Sequence, residues 1–182
     1  DGLGLMFASL TMFFLTLEER VKLTKEILRL VDGRISIIAS GHISDSLDDQ
    51  IEEIKAIAYA GPEAFVLVAN RLAKQDQSED VFKQNLDILL NAVPDVPFGF
   101  YECPYPYHRL FSTSLLRHVA ETGRFLFLKD TCCDLDIVIE RIQAVAHTPL
   151  KIYNANTVFL LESLRAGCAG FSGIMGNYHP QF

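Results

Sequence analysis

Positive charge is in short supply in this chain: 16 Lys and Arg stand against 23 Asp and Glu, for a formal charge of −7 and a pI near 5.2. A nucleic-acid backbone is bound through a basic surface, so nucleic acid is excluded as a partner. Long apolar runs are missing as well. None reaches the eighteen or so residues that a membrane span requires, so no membrane partner is expected. Cysteines number only four, at 103, 132, 133 and 168, and no second pair matches the adjacent Cys132–Cys133. That spacing gives no zinc pattern. The five histidines (His42, His108, His118, His147, His179) are equally scattered, so no metal site and no cofactor is expected. Thiols this sparse fit a reduced, cytoplasmic setting better than a disulfide framework. Low-complexity sequence is absent too, and 49% apolar with 21% charged residues is the profile of a globular chain.

What is present is a regular alternation. The 182 residues suit one domain with a real core. Short apolar runs predict strands at Leu3–Phe7, Ile35–Ala39, Ala64–Ala69, Phe98–Tyr101, Phe125–Lys129, Leu150–Tyr153 and Gly170–Ile174. Amphipathic stretches between them predict helices over Leu17–Val31, from Ser46, over Ser78–Ala92, and about Ser112–Thr122, Asp134–His147 and Asn156–Ala166. Asp48 and Asp49 fall in the first turn of the second helix, where carboxylates suit the dipole. Gly33, Gly61, Gly123 and Gly167 supply stop signals near helix ends. The opening "DGLGLMFASLTMFFLTLEER" lacks a basic start and is broken by Gly, Ser and Thr, so it reads as a buried strand and loop, not a signal peptide.

Strand–helix–strand repeats with short loops imply a parallel sheet covered by helices. No glycine-rich phosphate loop follows the first strand, which disfavours an open nucleotide-binding sheet. Units of uniform length favour a (β/α)8 TIM barrel, yet seven strands and six helices are counted where eight of each are needed. The expected architecture is therefore a single (β/α) barrel domain over 1–182 that lacks its first strand and its C-terminal helices.

In parallel α/β folds the chemistry sits at the carboxyl ends of strands. Tyr101 and Lys129 each close one. In "FLFLK", alternation puts Lys129 on a face with Phe127 and Phe125; in "FGFY", Tyr101 shares a face with Gly99. The alternation alone leaves open which face is inside. If both point inward, Lys129 rests over phenyl rings, desolvation lowers its pKa, and the amine can attack a carbonyl near neutral pH. Tyr101 could then relay protons. The competing reading is an ordinary strand end whose lysine reaches water. Lys151 is a rival lysine, placed within a strand segment.

Four blocks, "TLEERVKLTKEIL", "GRISIIASGHISDS", "DVPFGFYECP" and "FLFLKDTCCDLD", resemble the dihydrodipicolinate synthase / N-acetylneuraminate lyase family of (β/α)8 Schiff-base aldolases and lyases. "YECP" stands where that family has roughly YNVP, and "KDTCCD" where it has roughly KDSSGD. "GCAGFSGIMGNYHP" echoes its late block, including Gly167, Gly170, Asn177 and Pro180. The resemblance implies Lys129 as the imine-forming nucleophile and Tyr101 as the proton relay. It implies substrate-binding roles for Ser9, Thr11 and Ser172, a small 2-oxo acid such as pyruvate as partner, and a homo-oligomer, dimer or tetramer.

Departures matter as well. The carboxylate-holding block of the family should fall near "FASLTMFF", where only Ser9 and Thr11 could serve. Pro106 aligns with the arginine that helps dihydrodipicolinate synthases hold a substrate carboxylate, and no second tyrosine follows Ala69. Aspartate semialdehyde is thus disfavoured, and a sugar-acid or other hydroxy-oxo acid is the expectation. Cys132 and Cys133 are read as buried structural thiols. The rival function is a non-catalytic barrel paralogue that binds a small carbonyl acid; an open α/β binding domain is a third. Because strand number, tilt and shear are coupled, seven strands do not close an eight-stranded barrel. The chain is accordingly expected to belong to a longer polypeptide, with about 40–60 residues absent at the front and a helical tail behind, unless a second copy supplies a strand.

Overall fold

The computed structural model describes residues 5–7 and 10–179, with side chains from residue 12 onward. Seven strands and six α-helices alternate among these residues. They are β1 (Leu5–Phe7), α1 (Leu17–Val31), β2 (Ile37–Ala39), α2 (Leu47–Ala58), β3 (Ala64–Val68), α3 (Glu79–Ala92), β4 (Phe98–Tyr101), α4 (Thr113–Glu121), β5 (Phe125–Asp130), α5 (Leu135–Val145), β6 (Lys151–Asn154), α6 (Leu160–Ala166) and β7 (Gly170–Phe171). Short 3-10 turns occupy Leu10–Phe14, Ala69–Arg71 and Ile174–Asn177. The chain divides into two compact units, residues 1–98 and 99–182.

Helix starts follow local chemistry. Thr16, Ser46, Ser78 and Ser112 are N-caps, each accepting a backbone N–H of the first turn through its hydroxyl. Thr16 completes a reciprocal capping box with Glu19. Asp134 caps α5 by accepting from the N–H groups of Asp136 and Ile137. The sixth helix departs from expectation. Asn154 accepts from the N–H of Asn156, and Asn156 accepts from that of Val158, so turns occupy "NANTV" and α6 begins only at Leu160. Gly167 ends it with φ +113°, a conformation that suits glycine.

In the first unit β1, β2 and β3 are parallel neighbours, and the Phe65 N–H donates to Pro97 O at 2.9 Å. Every residue of β3 is buried, as befits a parallel strand covered on both faces. Ile51, Ile54 and Ile57 of α2 and Phe82, Leu86 and Leu89 of α3 complete that core. His42 is fully buried, with Nδ1 2.9 Å from Gln50 Oε1 and Nε2 accepting the Val68 N–H at 2.7 Å. Burial lowers its pKa to about 4, so the ring is a neutral structural element.

The second unit holds β4 from Gly99 onward and the parallel strands β5, β6 and β7, with Lys129 paired to Tyr153 and Tyr153 to Gly170. Helix α5 packs against α4, α6 and β6. Phe100 stacks on Phe125 at 4.6 Å and meets Phe111 edge-on at 4.9 Å. This corrects the expectation that Phe125 lies beside Phe127 beneath Lys129: at the start of its strand, Phe125 joins the Phe100 cluster instead. Val158, Leu161, Ile174 and Tyr178 are large exposed apolar side chains of this unit. Among the described residues no helix is long and apolar enough to cross a membrane.

Candidate active site

The carboxyl ends of β4 and β5 lie side by side, tied by the Glu102 N–H donating to Lys129 O at 3.4 Å. Alternation then sorts their side chains. Glu102 and Asp130, both buried, turn to one side and meet Arg141 of α5. Tyr101 and Lys129 turn to the other, with the Lys129 ammonium 4.3 Å from the Tyr101 ring centroid. The face question that alternation left open is answered by this packing.

Glycine makes the room. A Cβ on Gly99 would fall within the ring of Phe127, so Gly99 lets that ring lie against β4. A Cβ on Gly170 would lie 2.9 Å from Tyr153 Cε1. Phe127 and Tyr153 then meet edge-on at 6.1 Å. Phe127 and Lys129 share a strand face by alternation, and Tyr153 is the register partner of Lys129.

Half-burial has the electrostatic consequence that the sequence suggested. Desolvation lowers the Lys129 pKa to about 8, against a small opposing influence of Cys103. Tyr101 moves the other way. Burial raises its pKa first, and the neighbouring Cys103 side chain raises it further. The pair is therefore a lysine with an accessible free-amine form beside a phenol that holds its proton at neutral pH. Lys151, the rival, is exposed at the start of β6.

Behind this face stands an ion cluster. Arg141 is 2.8 Å from Glu102 Oε1, donates to Glu102 Oε2 at 3.0 Å, and also donates to Asp130 Oδ2. Its Nη2 donates to Phe111 O at 2.7 Å, while Phe111 N–H donates to Glu102 Oε1 at 2.8 Å. Both backbone groups of Phe111, the far end of the "PYPYHRL" loop, are thus held. Burial pushes the Glu102 carboxyl up, with Arg141 pulling it back. Burial opposes the Arg141 charge, but Glu102 and Asp130 outweigh it and the guanidinium pKa is raised. Thr131 donates its hydroxyl to Glu102 O and its N–H to Glu102 Oε2. His108 Nε2 lies 2.7 Å from that hydroxyl and, its proton being committed, donates to it.

The remaining expected residues are spread out. Ser172 follows β7, its N–H donating to Asn154 O at 2.8 Å. Ser9 lies outside the described residues. Thr11 is in the 3-10 turn Leu10–Phe14, with its side chain outside the described set. Cys132 and Cys133 correct the expectation of burial: Cys133 is exposed with φ +58° and Cys132 half-buried. The Cys132 thiol is pushed up to about 12 by burial and by Asp130, so it is a poor nucleophile. Among the described residues no group of three or more His, Cys, Asp or Glu is arranged to hold a metal ion.

Two residues were missed in the sequence. Cys103, a buried neighbour of Tyr101 and Lys129, stands two residues past Tyr101 in "YECP". Arg141 carries no sequence signal, since a lone arginine in an amphipathic helix reads as surface.

Solved structures match this architecture. A dihydrodipicolinate synthase from Acinetobacter baumannii, complexed with pyruvate, is 23% identical, with a TM-score of 0.86. A monomeric dihydrodipicolinate synthase variant is 16% identical, with a TM-score of 0.85. A prophage protein of the dihydrodipicolinic acid synthase family from E. coli K12, also complexed with pyruvate, is 21% identical, with a TM-score of 0.84. Each match covers 98% of this chain but 60% of the other, so the chain spans about three-fifths of the length of these relatives. No curated protein matches it. The sequence model of the dihydrodipicolinate synthetase family matches residues 4–182. With that match over nearly its whole length, the chain belongs to the dihydrodipicolinate synthetase family.

Proposed function

We propose that the protein is a Schiff-base-forming aldolase or lyase acting on pyruvate or a related 2-oxo acid. The observation that carries the reading is the half-buried Lys129 amine, its pKa lowered to about 8, 4.3 Å from the Tyr101 ring centroid. The free amine attacks the keto carbon, and loss of water from the resulting carbinolamine leaves an imine. Once protonated, the imine nitrogen draws the electron pair of the adjacent C–C or C–H bond, and the resulting enamine attacks an aldehyde in the reverse sense. Tyr101, kept protonated by burial, gives a proton to the developing alkoxide and takes it back in cleavage. Ser172 and a hydroxyl from Ser9 or Thr11 are the proposed carboxylate holders within a (β/α) barrel. Four scattered cysteines suit a reducing, cytoplasmic setting.

Borohydride reduction in the presence of pyruvate tests the reading. A reduced pyruvyl adduct on the Lys129 peptide, absent from Lys129→Ala, is expected. An unmodified Lys129 after trials with several 2-oxo acids would sink it, and retained ligand affinity in Lys129→Ala would favour a non-catalytic binder. For the substrate, Pro106 at the position of the family's arginine favours cleavage of a hydroxy-oxo acid to pyruvate and an aldehyde over condensation with aspartate semialdehyde. Pyruvate release from a panel of 2-oxo-3-deoxy acids identifies it, and efficient condensation with aspartate semialdehyde would overturn that choice.

A further inference from the structure

The loop that follows β4, residues 103–110, is tied at three points. Before it, the Glu102 N–H donates to Lys129 O; after it, Phe111 is held through both backbone groups by Arg141 and Glu102. Between these ends, His108 Nε2 lies 2.7 Å from the Thr131 hydroxyl. Thr131 is the second residue after Lys129, so the two Cα atoms stand within about 7 Å. The loop is thus fastened beside the lysine. The same tie settles the roles of the ring nitrogens. Thr131 spends its one hydroxyl proton on Glu102 O at 2.7 Å, so His108 Nε2 is the donor. In the neutral ring Nδ1 is then a bare acceptor. The side chain is exposed, and Thr131 is its one hydrogen-bond partner among the described residues.

We infer that His108 is a specificity-determining residue: its Nδ1 accepts a hydrogen bond from a hydroxyl on the part of the substrate that leaves as the aldehyde, at C5 or beyond in a 2-oxo-3-deoxy acid. This rests on the Schiff-base reading, which fastens C2 to Lys129 and gives the C4 oxygen to Tyr101. The carbons beyond C4 are then the ones left for the loop to recognise. The acceptor nitrogen of a neutral imidazole suits a hydroxyl, whereas an arginine at the Pro106 position would suit a carboxylate. Fastening the loop needs only Nε2. Recognition needs Nδ1 as well, and that difference separates a plain latch from a substrate contact.

The test compares wild type with His108→Gln, whose amide nitrogen can keep the tie to Thr131 while the Nδ1 acceptor is lost. Pyruvate release is measured from two acids that share the C4 hydroxyl. One is 2-oxo-3-deoxygluconate or its C4 epimer, whichever reacts faster; the other is 4-hydroxy-2-oxohexanoate, which has no hydroxyl beyond C4. Wild type should favour the first by about tenfold in kcat/KM, the effect of one ordinary hydrogen bond, and His108→Gln should lose most of that preference. A wild type without the preference overturns the inference. So does a preference unchanged in His108→Gln, including the case where both rates fall together, which marks a latch alone. Failure of wild type to trap with any 2-oxo acid strikes the Schiff-base reading instead. The ratio of dissociation constants for the same two acids, measured by calorimetry, then decides about His108 by the same criterion.

Discussion

Arg141 and Glu102 lie 2.8 Å apart with side chains 1% and 0% exposed, and the same guanidinium also serves Asp130. Two buried carboxylates thus share one cation, directly behind the strand ends that carry Tyr101 and Lys129. Arg141→Met removes the cation that both carboxylates share. A loss of about 3–5 kcal/mol is expected, read as a lower urea midpoint. Adding Glu102→Gln to that background should recover part of it, because one of the two stranded charges is removed. A midpoint within experimental error of wild type would show the cluster to be dispensable.

The Lys129 amine sets a pH dependence. With a pKa of about 8, roughly a tenth of it is unprotonated at pH 7. The initial rate of trapping with pyruvate should therefore climb about tenfold per unit below that value and level off above it. A plateau already reached by pH 6, or a climb continuing past pH 10, would contradict the environment described for this side chain.

Gly99 should resist substitution. The methyl of Gly99→Ala would occupy the space of the Phe127 ring, and displacing that ring costs about 1–3 kcal/mol in a packed interior. Phe127→Leu in the same chain should relieve the clash, so the double variant should be more stable than additivity allows. Thermal unfolding of the four proteins in the cycle checks this. Strict additivity would mean the two positions do not meet.

Acid should loosen the first unit through His42. Its folded pKa, about 4, lies below the ordinary value of 6.5, so the unfolded chain takes up the proton first. The stabilising contribution, on the order of 3 kcal/mol, is fully present above pH 6.5 and is lost as pH falls to about 4. His42→Gln should unfold with a flatter dependence over that window, even if it is less stable at pH 7. Parallel pH curves for the two proteins would rule out His42 as the source.

The sequence alone determined the alternation of strands and helices, because period and capping are local. Apolar runs of four to six residues and the hydroxyls of Thr16, Ser46, Ser78 and Ser112 act within a turn or two of backbone. It also placed Tyr101 and Lys129 at strand ends, since both follow directly on apolar runs. Local rules failed at the edges: polar turns delayed α6 to Leu160, and Phe125 left the Lys129 face for Phe100. Tertiary structure alone decided which way the strand faces turn. The lysine meets the tyrosine because Glu102 and Asp130, their neighbours in sequence, are claimed on the opposite side by Arg141, 39 residues from Glu102. That choice depends on a helix arriving from elsewhere in the chain, and a strand's own alternation is symmetric with respect to it.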